Sequence, residues 1–495
     1  MTAVSIRRAF LVVLMAFPTV ALSQSCEGLV SLRSPTVVIR RATLIPAGTF
    51  LPPGSSASIF GLPGFCQVSA TLRPTPDSEI QTEIWLPTRW NGKFLAVGSG
   101  GWGGSIAYDG MAEALRRGYA TSATDDGHAG SSASFLFGHP DKFKDFAYRA
   151  EHEMTSEAKF FIHAYYGKSP EHSYWNGCSG GGREGLLQAA RYPDEFDGII
   201  AGDPANMGRN AWALWLANQT FKDPANRIPP EKYPMIHKAV LAACDQNDGV
   251  KDGLIEDPTT CHPDFKALAC KSGNQLNCLT ARQVETARIT LSPATTASGK
   301  ILFPALEPGS ELGWVRLTGG PQPADLFVNQ FRYVYQNPDW DWRTFDLERD
   351  SQKANAANHG IVEVDPDLTG YAEHGGKLLL YHGWADQQVA PGSTVDFYNA
   401  TVALSPNQRA VWVRLFMVPG MAHCSGGEGP DTFDKISALE QWVEQSKVPA
   451  SIVATHFNGD KPDRTRPLCP YPQTAHYLGQ GSIDEAVNFA CSAPQ

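Results

Sequence analysis

The sequence predicts an α/β fold, a parallel sheet interrupted by a large insertion, and three observations predict it. Strand-like and helix-like runs alternate up to residue 205 and again beyond residue 366, the order expected of parallel strands joined by right-handed helical crossovers. Gly177-Cys178-Ser179-Gly180-Gly181 matches Gly-x-Ser-x-Gly, in which a serine sits on a sharp strand-to-helix turn with its hydroxyl exposed. Asp386 and then His423 follow it in the second half, the nucleophile, acid, histidine order of α/β-hydrolases. The predicted architecture is therefore an α/β-hydrolase core with a large inserted lid domain.

Taken from the N-terminus, Arg7 and Arg8 precede an apolar run from Ala9 to Val20, and Ala21-Leu22-Ser23 supplies a small-x-small cleavage pattern. Residues 1–23 read as a secretory signal peptide, so a secreted or periplasmic protein is expected. The run is shorter than the roughly 20 residues of a spanning helix, and Cys26 has no lipobox before it, so no membrane anchor is expected.

Residues 24–205 make the first part of the core. Ile80 to Val97 reads as strands with a turn at Trp90-Asn91-Gly92, and Met111 to Gly118 as a helix stopped by its glycine. Tyr119 to Ser122 begins a strand, Glu151 to Tyr166 has helical periodicity without Gly or Pro, and Ser173 to Asn176 is a short strand feeding the serine turn. A helix from Arg183 to Arg191 and a strand from Phe196 to Ala201 complete this half. Residues 206–366 change character, with clustered cysteines, prolines and aromatics, and are expected to form the lid. Residues 367–495 return to the core, with strands at Lys377 to Tyr381 and Val411 to Val418 and helices at Gly392 to Leu404 and Thr432 to Gln445.

Composition narrows the partners. With 42% apolar and 19% charged residues among 495, the chain is an ordinary globular protein able to bury a large core. A formal net charge of −10 argues against nucleic acid or an anionic membrane as main partner. Ten cysteines in an exported chain imply a disulfide framework. Sequence proximity suggests Cys244–Cys261, Cys270–Cys278 and Cys469–Cys491. No Cys-x-x-Cys occurs, so zinc or thioredoxin-like chemistry has little support.

Serine is a poor nucleophile until a base accepts its proton, and His423 is the candidate base for Ser179, with Asp386 fixing the imidazole. Asp365 and Asp367 are rivals for the acid and His128 for the base. A Ser179–His423 contact of about 2.6–3.2 Å would bring their neighbours Cys178 and Cys424 near the roughly 4.4–6.8 Å Cα separation of a disulfide, leaving Cys26–Cys66 by elimination. Stabilising a developing oxyanion takes backbone N–H groups. Gly180, just after the serine, is expected to supply one, and Gly101, within the glycine run Gly98 to Gly104, the second. The same run lacks the Lys-Ser/Thr of a phosphate loop. Asp125, Asp126 and His128 could mimic a second triad and are read as structural.

These segments, together with Trp90-Asn91-Gly92-Lys93-Phe94-Leu95, Thr124-Asp125-Asp126-Gly127-His128, His382-Gly383-Trp384-Ala385-Asp386 and the acidic loop after Cys244, resemble the tannase and feruloyl esterase family over nearly the whole mature chain. The resemblance implies a catalytic Ser179 and His423 tied by a Cys178–Cys424 disulfide, with an Asp completing the triad. It implies a structural calcium site, with Asp245, Asp248 and Asp252 binding by side chain and Val250 and Leu254 by carbonyl. The loop is an imperfect EF-hand, because the expected bidentate Glu falls instead near Glu256-Asp257. No organic cofactor is expected. Where family members often carry an acidic or small polar residue after the nucleophile, this chain has Gly180, which offers only its N–H.

The function these readings support is a secreted serine carboxylic-ester hydrolase working through an acyl-enzyme. Its expected partner is a small aromatic ester: a feruloyl or other hydroxycinnamoyl ester, a galloyl ester, or a terephthalate monoester such as mono(2-hydroxyethyl) terephthalate, which some family members hydrolyse. Lid aromatics, among them Trp212, Trp215, Trp314, Phe331, Tyr333, Tyr335, Trp340 and Trp342, suggest a slot for the acyl group, with two or three touching substrate and the rest in the core. Arg332 reads as a surface residue, with a substrate carboxylate as its alternative. Competing functions are a calcium-stabilised polyphenol- or polysaccharide-binding protein on a retired hydrolase fold, and a secreted serine peptidase. Nothing in the sequence speaks to oligomeric state.

Overall fold

A computed structural model describes residues 24–405 and 412–493. The signal peptide expected over residues 1–23 lies outside the described residues, as does Val411 at the start of its expected strand.

Nine strands form the central sheet: β1 (Val37–Ile45), β2 (Phe65–Leu72), β3 (Ile80–Pro87), β4 (Lys93–Val97), β5 (Ala120–Thr124), β6 (His172–Cys178), β7 (Gly198–Gly202), β8 (Lys377–Gly383) and β9 (Val413–Val418). Their order is β1-β2-β3-β5-β4-β6-β7-β8-β9. The pairs β4–β5, β4–β6, β6–β7, β7–β8 and β8–β9 are parallel, whereas β1–β2, β2–β3 and β3–β5 are antiparallel. The sheet is thus mixed, and the expectation of a purely parallel one is corrected at its first edge. The turn at Trp90-Asn91-Gly92 joins β3 to β4 without making a hairpin, because β5 lies between them. β2 escaped the sequence reading because it is buried on both faces almost throughout and shows no alternation.

Helices flank the sheet: α1 (Tyr108–Arg116), α2 (Ala150–Tyr166) and α3 (Gly180–Arg191) in the first half. Period-2 side-chain alternation feeds two cores. Trp175, Ile199, Leu378 and Leu380 join the layer that includes Ala158 and Ile162 of α2. Their neighbours Tyr174, Ile200, Leu379 and Tyr381 enter a second layer with Leu439 and Trp442.

Between β7 and β8 the chain contributes no strand to this sheet. It forms α4 (Gly208–Phe221), α5 (Tyr233–Cys244), α6 (Ala281–Thr290), α7 (Asp325–Val334) and α8 (Leu347–Asn358), with one small hairpin of Ala294–Thr295 and Ile301–Phe303. This insertion has its own apolar centre, including Trp212, Leu216, Ile236, Val240, Trp314 and Phe331. After β8 come α9 (Gly392–Leu404) and α10 (Lys435–Gln445). The C-terminal strands β10 (Ile452–Asn458), β11 (Lys461–Leu468), β12 (Thr474–Tyr477) and β13 (Phe489–Ser492) form two small antiparallel sheets beside the core, the first with Thr432–Phe433. Five disulfides are present: Cys26–Cys66, Cys178–Cys424, Cys244–Cys261, Cys270–Cys278 and Cys469–Cys491. Among the described residues, no helix is long and apolar enough to cross a membrane.

Candidate active site

Four parallel strands end at one edge, and the chain segments leaving β6, β7, β8 and β9 carry Ser179, Asp203, Asp386 and His423. Ligand-binding crevices of open α/β sheets form at this carboxyl edge. Ser179 has φ +60° and ψ −117° and is the residue between β6 and α3. Its N–H donates to the Gly202 carbonyl at 2.9 Å. The turn admits no side chain at Gly177, where a Cβ would lie 2.4 Å from the Gly181 carbonyl oxygen.

Asp386 is fully buried and saturated with donors. Its Oδ1 accepts the N–H groups of Gln388 at 2.6 Å and Val389 at 2.9 Å. Its Oδ2 meets His423 Nδ1 at 2.6 Å and His382 Nε2 at 3.1 Å. Burial pushes the Asp386 carboxyl up, but the two imidazoles beside it outweigh burial and hold it well below the usual carboxylate range. The Nδ1 contact leaves Nε2 of His423 as the nitrogen available to a serine hydroxyl. Ser179 Oγ makes no hydrogen bond to His423 among the described residues. The Cys178–Cys424 bridge, with Cα atoms 5.9 Å apart, holds the two turns together.

The glycine loop lies against the start of α3. Gly181 N–H donates to the Ser99 carbonyl at 2.6 Å, and a Cβ on Gly180 would come within 3.3 Å of the Gly100 Cα. Gly101 has φ +63°, and Leu326 of α7 is the nearest side chain to its missing Cβ, at 3.9 Å. Trp102 is buried and donates its indole N–H to the Leu326 carbonyl at 3.0 Å. The insertion therefore covers the candidate oxyanion loop. A second contact lies at the acid: Gly313 of the insertion packs against Gln387, next to Asp386.

The rival residues sit elsewhere. Asp365 and Asp367 are exposed and accept backbone N–H groups of Asp367 and Thr369 in a turn. His128 is buried, stacked on Phe135 with ring centroids 3.5 Å apart, and burial lowers it to about 4. Asp125 accepts from the N–H groups of Gln81 and Gly127. Asp126 joins Glu151 and Glu184 in a fully buried acidic cluster around Ser99. Of the expected lid aromatics, Trp212, Trp314, Phe331, Trp340 and Trp342 belong to the insertion's own core, while Trp215, Tyr333 and Tyr335 keep partial exposure. Arg332 pairs with Asp325 at 3.0 Å.

The acidic loop is a nest of side chain to backbone turns. Asp245 Oδ1 accepts from Asp252 and Gly253 N–H, each at 3.0 Å, Asp248 from Val250 at 2.9 Å and Asp252 from Leu254 at 3.1 Å. Burial, with the Asp252 and Asp245 charges adding, raises Asp248 to about 6, against the pull of its own backbone hydrogen bond. Among the described residues, Asp245, Asp248 and Asp252 do not bring one carboxylate oxygen each within 4.8 Å of one another, so the loop as it stands is not drawn together around an ion. One cation already meets them, because Arg466 donates to Asp252 Oδ2.

Two residues of the site have no role in the sequence reading, although His382 opens the family-like segment His382 to Asp386. Asp203 is fully buried after β7, with Oδ1 accepting Gly383 N–H at 2.9 Å and Oδ2 accepting Cys424 N–H. His382 is equally buried, its Nδ1 2.7 Å from Thr394 Oγ1. A positive φ of 38° at a non-glycine is invisible in composition, so Asp203 was indistinguishable from any loop aspartate.

The family model described as Tannase and feruloyl esterase matches residues 66–319 and 321–492. An uncharacterised esterase of Xanthomonas campestris pv. campestris is 36% identical over 530 residues, covering 96% of this chain and 92% of its own. A probable feruloyl esterase B-2 of Neosartorya fischeri is 33% identical over 495 residues, covering 93% and 94%. The crystal structure of feruloyl esterase B from Aspergillus oryzae superposes with a TM-score of 0.89 at 30% identity, over 94% of this chain and 99% of that one. Tannin acyl hydrolase from Aspergillus niger shares the fold, with a TM-score of 0.77 at 21% identity over 93% of this chain and 92% of that one.

Proposed function

This chain belongs to the tannase and feruloyl esterase family and is a carboxylic-ester hydrolase, and on that premise we propose that it cleaves esters of aromatic acids by a serine mechanism through an acyl-enzyme. The observation that carries the proposal is the 2.6 Å Asp386–His423 contact, held beside Ser179 by the Cys178–Cys424 bridge. In this mechanism Ser179 Oγ attacks the ester carbonyl as His423 Nε2 takes its proton, and Asp386 stabilises the imidazolium. N–H groups of Gly180 and Gly101 receive the oxyanion. His423 then returns the proton to the departing alkoxide, and water, activated by the same imidazole, releases the acid and restores Ser179.

The acyl group would be flat and aromatic: hydroxycinnamoyl, galloyl or the monoester of terephthalate. The names of the relatives favour the first. Export to the periplasm or beyond is part of the proposal and is supported by five disulfides. Calcium, held by Asp245, Asp248, Asp252 and the carbonyls of Val250 and Leu254, would have a structural role, neutralising the loop's carboxylates.

A panel of methyl ferulate, methyl gallate, chlorogenate and mono(2-hydroxyethyl) terephthalate, compared by kcat/KM, tests the substrate class. The Ser179→Ala and His423→Ala proteins are expected to stay folded and to lose nearly all turnover, on the order of 10⁴-fold or more. Near-normal rates in purified Ser179→Ala protein would sink the mechanism.

A further inference from the structure

Behind Asp386 and His423 lies a second carboxylate and imidazole, Asp203 and His382, which no step of the proposed chemistry uses. One ligand atom each of Asp203, Asp386 and His423 lie mutually within 4.8 Å. His382 Nε2 is 3.1 Å from Asp386 Oδ2 and 3.7 Å from Asp203 Oδ1. It is also 3.1 Å from the Val389 carbonyl, so this nitrogen carries hydrogen. Both oxygens of Asp203 accept backbone N–H groups, as an ionised carboxylate does.

We propose that Asp203 and His382 are positioning residues that balance the charge around His423, so that the buried cluster becomes neutral when His423 takes the serine proton. The count takes His382 as a cation, the state that carboxylates on two sides of its Nε2 favour, although its hydrogen bonds alone would also suit the neutral ring. With His382 cationic and both aspartates ionised, the four groups carry one net negative charge at rest and none when His423 is an imidazolium. Without Asp203, the positive His382 would cancel Asp386 at rest, and a protonated His423 would leave an uncompensated positive charge in a buried site. Such a charge is expensive. Burial favours loss of the His382 proton, but the charges of Asp203 and Asp386 overcome it and raise that group. Burial also raises Asp203, aided by Asp386 and opposed by His382.

Asp203 also fixes position. It bonds the backbone of Cys424, next to His423, and of Gly383, three residues before Asp386, so one carboxylate spans the two loops that carry the dyad. Other charged or titratable groups whose fields reach the cluster are Arg209 of α4, near Asp386, and Lys435 of α10 and Tyr381 of β8, both near Asp203. None is hydrogen-bonded or ion-paired to the cluster's side chains among the described residues. They set the starting point of the titration and leave the sign of any change on removing Asp203 or His382 unaltered.

The inference rests on the Ser179–His423–Asp386 reading, and its test separates the two. The kcat/KM–pH profile is measured for wild type, Asp203→Asn, His382→Gln and the double variant, with folding checked by circular dichroism and the Cys178–Cys424 bond by peptide mapping. The acid limb, which reports protonation of the base in free enzyme, is expected to move to lower pH by about one unit in Asp203→Asn and to higher pH by about one unit in His382→Gln. In the double variant the lost charges cancel and the limb returns close to wild type. A scaffold role alone would lower rates or stability without opposite shifts. The proposal is overturned if folded single variants move the limb in the same direction or not at all. If only one single variant folds, its direction decides. If only the double folds, charge compensation is supported, and if none folds, tuning is rejected for a scaffold role. Ser179→Ala activity close to wild type would instead sink the underlying serine reading, whereas an inactive Ser179→Ala with unmoved limbs sinks only this inference.

Discussion

Ser179, Asp203 and Cys424 share positive backbone φ, at 60°, 38° and 65°. For residues with a Cβ such conformations cost of order 1–3 kcal/mol each and persist where surrounding structure over-determines them. Here the constraints are the Ser179 to Gly202 hydrogen bond, the Asp203 carboxylate on Cys424 N–H, and the disulfide. The bridge joins residues 246 apart in sequence, across the whole insertion. A misplacement of about 1 Å can lower a rate on the order of 100-fold. Cys178→Ala/Cys424→Ala is therefore expected to lose kcat more than substrate binding. A purely structural bridge would cost stability alone, typically about 2–4 kcal/mol. Assays run well below the variant's Tm separate these outcomes, and wild-type kcat in the folded double variant would leave the bridge structural.

At the scale of an element, the acidic loop after α5 ties the insertion to the C-terminal strands. Arg466 of β11 meets Asp252, Arg464 donates to the Asp252 carbonyl at 2.9 Å, and Glu256 accepts from Ala475 N–H at 2.7 Å. A bound cation would offset the Asp252 and Asp245 charges, which add to burial in raising Asp248. A ligand present at 100 times its Kd stabilises the native state by about 2.7 kcal/mol. Chelation is thus expected to lower Tm while leaving kcat at low temperature unchanged, and re-addition of calcium to restore it. Identical melting curves before and after verified metal removal would count against a stabilising site.

Across the whole molecule, the insertion meets the core at two loops of the candidate site, through Leu326 at the glycine loop and Gly313 at Gln387. A third grip is ionic. His237 of α5 lies 2.8 Å from Glu311 within the insertion and 2.6 Å from Glu428, five residues past His423. Burial lowers His237, but both glutamates outweigh it and raise it to about 9. Its contribution to stability is full below the unfolded value near 6.5 and is lost as pH rises through about 9. Hydrogen exchange in α5 and the loop after His423 is expected to quicken between pH 7 and pH about 9.5 more steeply in wild type than in His237→Gln. Equal pH slopes would show that the grip does not depend on the charge. Such tethering would let the insertion shape the acyl pocket while the strands hold the chemistry.

The sequence by itself determined what is local or strongly patterned. The strands and helices nearest the site follow from short-range periodicity, with ends a few residues adrift: the helix expected from Arg183 starts at Gly180, and the one expected from Thr432 starts at Lys435. β1, β2 and the C-terminal strands β10 to β13 do not. Chain order and the paired cysteines brought Ser179, Asp386 and His423 forward as one group, because a serine turn and a Cys beside each partner are spacing signals. Only the tertiary structure decided which strands are neighbours. β5 lies between β3 and β4, and the first edge is antiparallel, since pairing is chosen by long-range burial of both sheet faces. That most of the bulky insertion aromatics are core residues is a sequence expectation; which ones they are depends on the tertiary packing. Asp203, and any role for His382 beyond its place in a family-like segment, emerge only in three dimensions. A buried charge matters through what surrounds it, and its partners here lie in segments up to 221 residues away in the chain.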